Sequence, residues 1–262
     1  MTLPLFQVDT FTERPFAGNP AAVCVLEGEE ESAWLRAVAA ELDMPATAFV
    51  VPAGAEWRLR WFTAKAELDL CGHGTLAAAH VLWETGMGDP AATVTFQTPS
   101  GEIGASRKGE SIFLTLRSGA VAEAAPPSGL LDAVGVPVAS VWRTPLDYLL
   151  VLEGPSVVAQ ATPAIDALAA IDTRGVIVTA AGGAGVDFTS RFFAPSVGIP
   201  EDSVTGSAHA SLAPFWAERL GKASMRAHQA SPRGGYLDLR VEGDEVHVGG
   251  PAVTVSRGLL VV

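Results

Sequence analysis

The sequence predicts an α+β protein of two similar domains, each an antiparallel or mixed sheet curled around one central helix. Two observations carry that expectation. Three pairs of segments recur in the same order about 131 to 134 residues apart, which is the signature of an internal repeat. Within each half, one helical stretch rich in Ala and Leu sits among short strand-like runs bounded by turn residues.

In chain order, the run Ala21-Ala22-Val23-Cys24-Val25-Leu26 is apolar throughout and places Cys24 in a core. Glu27, Glu29, Glu30 and Glu31 then mark a solvated loop or the start of a helix. Leu59-Arg60-Trp61-Phe62-Thr63-Ala64 is a short buried strand, matched by Ser190-Arg191-Phe192-Phe193-Ala194-Pro195. The glycine turn Gly72-His73-Gly74-Thr75 opens a helix from about Gly74 to Glu84, and its counterpart Gly206-Ser207-Ala208-His209 opens another. Each helix carries a Trp, at Trp83 and Trp216. The first is apolar on nearly every face, so it should be enclosed and not laid on a surface. Thr98-Pro99-Ser100-Gly101 and Ser231-Pro232-Arg233-Gly234 are turns that lead into alternating hairpins ending near Leu116 and Val248. Strands such as residues 93–96 and 112–116 are joined by turns too brief for helical crossovers, which favours antiparallel pairing. Between the halves, residues 118–137 lose regular periodicity around Ala124-Ala125-Pro126-Pro127-Ser128-Gly129. The expected division is a first domain over residues 1–118, a linker over 119–129 and a second domain over 130–262.

Composition narrows the function. With 17 basic against 29 acidic residues the formal charge is -12, which repels a nucleic-acid backbone and an anionic membrane surface alike. Two cysteines and five histidines show no zinc spacing, so no structural metal is expected. No segment resembles a signal peptide or a membrane span, and a cytoplasmic location follows as an expectation.

A helix N-terminus presents N–H groups and about half a positive charge, and so attracts carboxylates and phosphates. This chain places two glycine-led helix starts at repeated positions. If the halves face each other, both look into one cleft, and the expected ligand is a small acid. A Gly-x-Gly-Thr turn before a helix is also an ordinary cap, and the duplicated placement is what favours a site. His73, whose ordinary pKa is near 6.5, suits proton transfer at neutral pH. Asp202, in the matching approach to the second helix, is the other candidate, with a capping role as its alternative. Asn19 follows Gly18 in a turn and is a candidate ligand contact, with Gly72, Gly74, Thr75, Gly206 and Ser207. His209, inside the second helix, reads as structural, and Arg233 as a surface turn or an acid contact.

The same residues carry a family resemblance. Asp9-Thr10-Phe11 with residues 15–23 (Pro-Phe-Ala-Gly-Asn-Pro-Ala-Ala-Val), Glu67 through Thr75, Gly198 through His209 and Gln229 through Gly235 resemble the hallmark segments of the phenazine-biosynthesis-like (PhzF-like) isomerases. The matches run from residue 9 to 235 in family order. The resemblance implies the fold of diaminopimelate epimerase, an active site between two domains and no cofactor. It also implies a homodimer and a C-terminal strand crossing back to the first domain.

The implied reaction is proton-transfer isomerisation of a small carboxylic acid, with a carboxylate base supplied by a segment of the form Asn-x-Ser-Glu-Thr-Ala-Phe. Here that segment reads Asp43-Met44-Pro45-Ala46-Thr47-Ala48-Phe49. Ala46 stands where the glutamate belongs, and alanine accepts no proton. Pro45 replaces a serine, and Ser203 stands where the family has proline. Cys71 resembles a cysteine base of diaminopimelate epimerase, but that enzyme needs a second cysteine that this chain's other half lacks. Three readings remain: a cofactor-independent isomerase or epimerase, a catalytically silent protein that binds a small acid, and lyase or hydrolase chemistry moved to His73 and Asp202.

Overall fold

The computed structural model describes residues 2–183 and 185–261. The chain forms two compact units, Met1–Leu116 with Val248–Val262 and Arg117–His247.

In the first unit β1 (Thr2–Thr10) pairs antiparallel with β2 (Asn19–Val25). Helix α1 (Ser32–Leu42) carries the chain to β3 (Thr47–Ala53), which runs parallel to β2. Strand β4 (Glu56–Phe62) turns back against β3, and the short β5 (Glu67–Leu68) pairs antiparallel with β4. Helix α2 (Gly72–Glu84) then crosses to β6 (Val94–Thr98), parallel to β4, and β7 (Gly101–Lys108) and β8 (Ser111–Arg117) complete a meander.

In the second unit β9 (Ala122–Glu123) pairs with β10 (Ser140–Arg143) across α3 (Leu130–Val134). Strand β11 (Asp147–Val151) is antiparallel to β10, and α4 (Pro155–Gln160) and α5 (Ile165–Ala169) cross to β12 (Gly175–Ala181), parallel to β11. Then come β13 (Phe188–Ala194), β14 (Ile199–Asp202), α6 (Gly206–Leu220), β15 (Ser224–Gln229) parallel to β13, β16 (Gly235–Glu242) and β17 (Glu245–Gly250). The last strand, β18 (Ala252–Val261), lies in the first unit, antiparallel to β1.

The two units therefore repeat one pairing sequence: antiparallel, parallel, antiparallel, antiparallel, parallel, antiparallel. Registers agree as well. Trp57 lies opposite Phe96 in one unit, and Phe188 opposite Ala227 in the other. Thr47 faces Phe62, and Val176 faces Phe193. The fold is α+β with mixed sheets, as expected, and the strands around residues 93–96 and 112–116 join an antiparallel meander through β7. Parallel neighbours demand a crossover, and α1 and the α4–α5 pair supply crossovers where one helix per half was expected. Within residues 119–129, β9 lies on the edge of β10, and residues 248–262 group with the first unit.

Each sheet wraps a buried helix. In α2, Leu76, Ala77, Ala78, Ala79, Val81 and Leu82 are fully buried, and the small alanines let strands approach the helix closely. On the outer face of the first unit, α1 alone covers Leu26, Phe49 and Phe62. In the second unit, α3, α4 and α5 together cover Val176, Val178 and Phe193. Strand β18 is fastened to α2 by polar contacts: His80 Nε2 lies 3.0 Å from Thr254 Oγ1, and that hydroxyl donates to Glu84 at 2.7 Å.

Candidate functional site

The start of α2 is built from residues 71–75. Cys71 sits at the N-cap in extended conformation without a side-chain cap. Thr75 N–H donates to Cys71 O at 3.0 Å, and the Thr75 hydroxyl donates to the same carbonyl at 2.8 Å. Thr75 is fully buried, so its hydroxyl closes the turn. The N–H groups of Gly72, His73 and Gly74 precede that first intrahelical bond, the region where helix N–H groups point outward. His73 is half-buried and its ring nitrogens lie 3.6 and 3.8 Å from Cys71 Sγ. Glycine at 74 has a steric cause: a Cβ there would stand 2.8 Å from Trp61 Cδ1 and 3.0 Å from Cys71 Sγ.

The start of α6 uses a denser polar network. Thr205, the N-cap, donates its N–H to Gln229 Oε1 at 2.8 Å and its hydroxyl to Asp202 Oδ2 at 2.7 Å. Gln229 Nε2 donates to the Asp202 carbonyl at 2.7 Å. Asp202 is thus a half-buried carboxylate fixed one turn ahead of Gly206. The Ser207 hydroxyl accepts from Arg174 Nη1 at 3.1 Å, and Arg174 is itself paired with both carboxylate oxygens of Asp147. Neither Arg174 nor Gln229 was identified as a site residue from the sequence. Gln229 opens the Gln-Ala-Ser-Pro-Arg-Gly-Gly segment, which was the available signal. Arg174 had none, because it meets Ser207 across 33 residues of chain.

His209 holds the inner side of the same helix start. It is fully buried, with Nδ1–H on the Thr205 carbonyl at 2.8 Å and Nε2 3.2 Å from the Ser190 hydroxyl. Burial pushes its pKa down to about 4, so the ring is neutral and holds strand to helix. Arg233 is half-buried in a turn closed by Gly234 N–H on Ser231 Oγ at 3.1 Å.

Asn19 opens β2 and is fully buried, its carbonyl accepting from Thr10 Oγ1 at 2.9 Å. Gly18 precedes it at φ +64°, and a Cβ there would fall 2.0 Å from Thr10 O, so only glycine serves. The same loop holds Phe16 at φ +68° and 79% exposed, anchored by its N–H on Asp9 Oδ2 at 2.7 Å. A bulky residue with positive φ is uncommon. Ala46 is buried, and its carbonyl accepts from Ala22 N–H at 3.0 Å, extending the β2–β3 ladder. No carboxylate is available at that position.

One further feature repeats. Arg60 donates through Nε and Nη2 to Glu67 at 2.7 and 2.8 Å, and Arg191 does the same to Glu201 at 2.7 and 2.9 Å. Each guanidinium also lies over the next aromatic of its strand face, Phe62 at 5.1 Å and Phe193 at 4.9 Å. These forked pairs clamp β5 onto β4 and β14 onto β13, immediately before the two helix starts. Among the described residues no three His, Cys, Asp or Glu side chains gather as they would around a metal ion, and no helix is long and apolar enough to cross a membrane.

Residues 8–258 match the family model described as phenazine biosynthesis-like protein, PhzC-PhzF. The chain is 44% identical over 264 residues to an uncharacterized isomerase of Halalkalibacterium halodurans, with all of both chains covered. A solved structure of a PhzF-family phenazine biosynthesis protein from Enterococcus faecalis matches with a TM-score of 0.95 at 39% identity, again over all of both chains. A hydroxyproline epimerase from Agrobacterium vitis shares the fold, with a TM-score of 0.67 at 12% identity over 99% of this chain and 92% of its own.

Proposed function

The chain belongs to the phenazine biosynthesis-like family, and from that premise we propose that it is an isomerase that moves a proton within a small carboxylic acid without a cofactor. The observation that carries this reading is the repeated pair of glycine-led helix starts, at Gly72 and Gly206. Backbone N–H groups around Gly72, Gly74, Gly206 and Ser207 would receive the substrate's carboxylate, with Asn19 and Thr75 shaping the first of these sites from within. His73 would pass the proton, its ring steadied against Cys71 Sγ at 3.6 Å, and Asp202 would serve as the second acid–base group, oriented by Thr205. A cytoplasmic homodimer is part of the proposal.

Ala46 supports a second reading, a small-acid binder that has lost its base. In the repeat Thr47 corresponds to Val176, so Ala46 corresponds to Gly175, the neighbour of Arg174, which reaches the start of α6.

The test is incubation with a panel of amino and cyclohexadiene-type acids in deuterated water, reading solvent deuterium at carbon. Isomerase activity gives exchange that His73→Ala and Asp202→Asn lower by about 10² to 10⁴, the usual contribution of a general acid or base. Ala46→Glu should raise it. A silent binder gives no exchange before that substitution and acid binding that survives it. Exchange indifferent to both His73→Ala and Asp202→Asn would refute the site assignment, and product formation without exchange would point to lyase or hydrolase chemistry.

A further inference from the structure

The first unit contains a cavity of about 270 Å³ between α1, β3, β4 and the end of β6, on the sheet face opposite α2. Leu26, Leu35 and Phe49 form its apolar wall, each 3% exposed or less. About 150 Å³ of apolar cavity suffices for a benzene ring, so this space accommodates a ring or a branched chain together with a polar head.

The polar groups at the mouth select the head. Arg60 is committed: it donates to both oxygens of Glu67, to Ser32 Oγ at 2.6 Å and to the Glu30 carbonyl at 3.4 Å. Among the described residues Arg58 is paired only with Glu29, and both side chains are more than half exposed, at 58% and 57%. Such a pair contributes about 0–1 kcal/mol, so a ligand carboxylate can join or displace Glu29 on the guanidinium. Among the described residues the Glu30 carboxylate has no partner and lines the same mouth. The mouth therefore offers one guanidinium and one uncommitted carboxylate above an apolar floor.

The repeat supplies an internal comparison. The corresponding depression of the second unit has Thr189 where the first has Arg58 and His228 where it has Gln97. Its rim includes Pro155, Ser156 and Ala159. Among the described residues the second depression has no guanidinium or carboxylate in its lining, so the repeated architecture does not require the charged rim.

We propose that this cavity is a second small-molecule site that takes an apolar α-amino acid, its carboxylate on Arg58, its ammonium on Glu30 and its side chain against Leu26, Leu35 and Phe49. The experiment is calorimetric titration of the whole protein with L-phenylalanine and L-leucine. The comparison ligands are 3-phenylpropionate, 2-phenylethylamine and glycine, which lack the ammonium, the carboxylate and the apolar side chain respectively. The expected result is saturable binding of both amino acids at one site and weaker binding of all three comparison ligands. Arg58→Gln and Glu30→Gln, both at the rim and harmless to folding, should each weaken phenylalanine binding by about tenfold, as expected for one charge-assisted hydrogen bond. Val51→Trp, which fills the cavity, should abolish it. Absence of saturable binding overturns the proposal, as does equal binding of either single-charge analogue. Binding lost in His73→Ala and retained in the two rim variants would locate the amino acid at the α2 start and would overturn it too.

Discussion

His209 makes the pH dependence of stability calculable. In the folded protein burial holds its pKa at about 4, whereas an unfolded histidine titrates near 6.5. Between those values the unfolded chain binds a proton that the folded chain refuses, so stability rises with pH across the window and is lost as pH falls through it. At about 1.4 kcal/mol per pH unit the full effect is roughly 3 kcal/mol, a large share of the 5–15 kcal/mol typical of a domain. Burial lowers His80 and His228 in the same direction, so they steepen the same slope. Glu67 and Asp187, held low by Arg60 and Lys222, lose their contribution only as pH falls below the ordinary carboxylate range, beneath the histidine window. The assay is urea denaturation at several values between about pH 7.5 and pH 4.5, comparing the parent with His209→Gln. The substitution should lower stability at neutral pH and flatten the slope. An NMR titration of the parent should show the His209 ring neutral down to about pH 5. A variant slope equal to the parent's, or protonation of His209 near 6.5 in the folded protein, would refute the reasoning.

The two forked ion pairs give a matched comparison of burial. Glu201→Gln leaves the largely buried Arg191 without its carboxylate and should cost about 2–4 kcal/mol, while Glu67→Gln, whose partner Arg60 is about one-third exposed, should cost about 1 kcal/mol or less in chemical denaturation. Equal costs would mean that burial does not govern these pairs. Crystals grown in sulfate should hold an anion on the N–H groups at Gly72–His73 or Gly206–Ser207; ordered sulfates elsewhere with water alone at both starts would count against the proposed carboxylate sites. Thr254→Val removes the hydroxyl shared by His80 and Glu84 and should speed amide exchange along β18 relative to β2; unchanged exchange would show that the β1 ladder alone holds the strand.

The helix starts were readable because their signals are local. Gly72 and Gly206 mark them in the chain, and the apolar runs that follow mark enclosed helices whatever surrounds them. The 131-residue offset of Phe62 and Phe193 was equally plain, since a strand's burial shows in its composition. Family membership could likewise be read from contiguous segments such as residues 67–75. What remained hidden depends on strand register. The parallel pairing of β2 with β3 and of β4 with β6 rests on crossovers, and α1 announces itself weakly, with no side-chain cap and no charge in its first or last turn to favour its dipole. Arg60 and Glu67 look like scattered surface charges until β5 folds back on β4. Arg174, adjacent to nothing informative in sequence, becomes a neighbour of Ser207 only in the folded chain.

The chain by itself determined a duplicated α+β architecture and two glycine-led helix starts, because each of these is written in residue identity and short-range spacing. Tertiary structure alone decided that β2 and β3 run parallel, that Arg174 reaches Ser207, and that an apolar cavity ends in Arg58 and Glu30. Those facts come from contacts between residues tens of positions apart, and packing, not local preference, sets which of them meet.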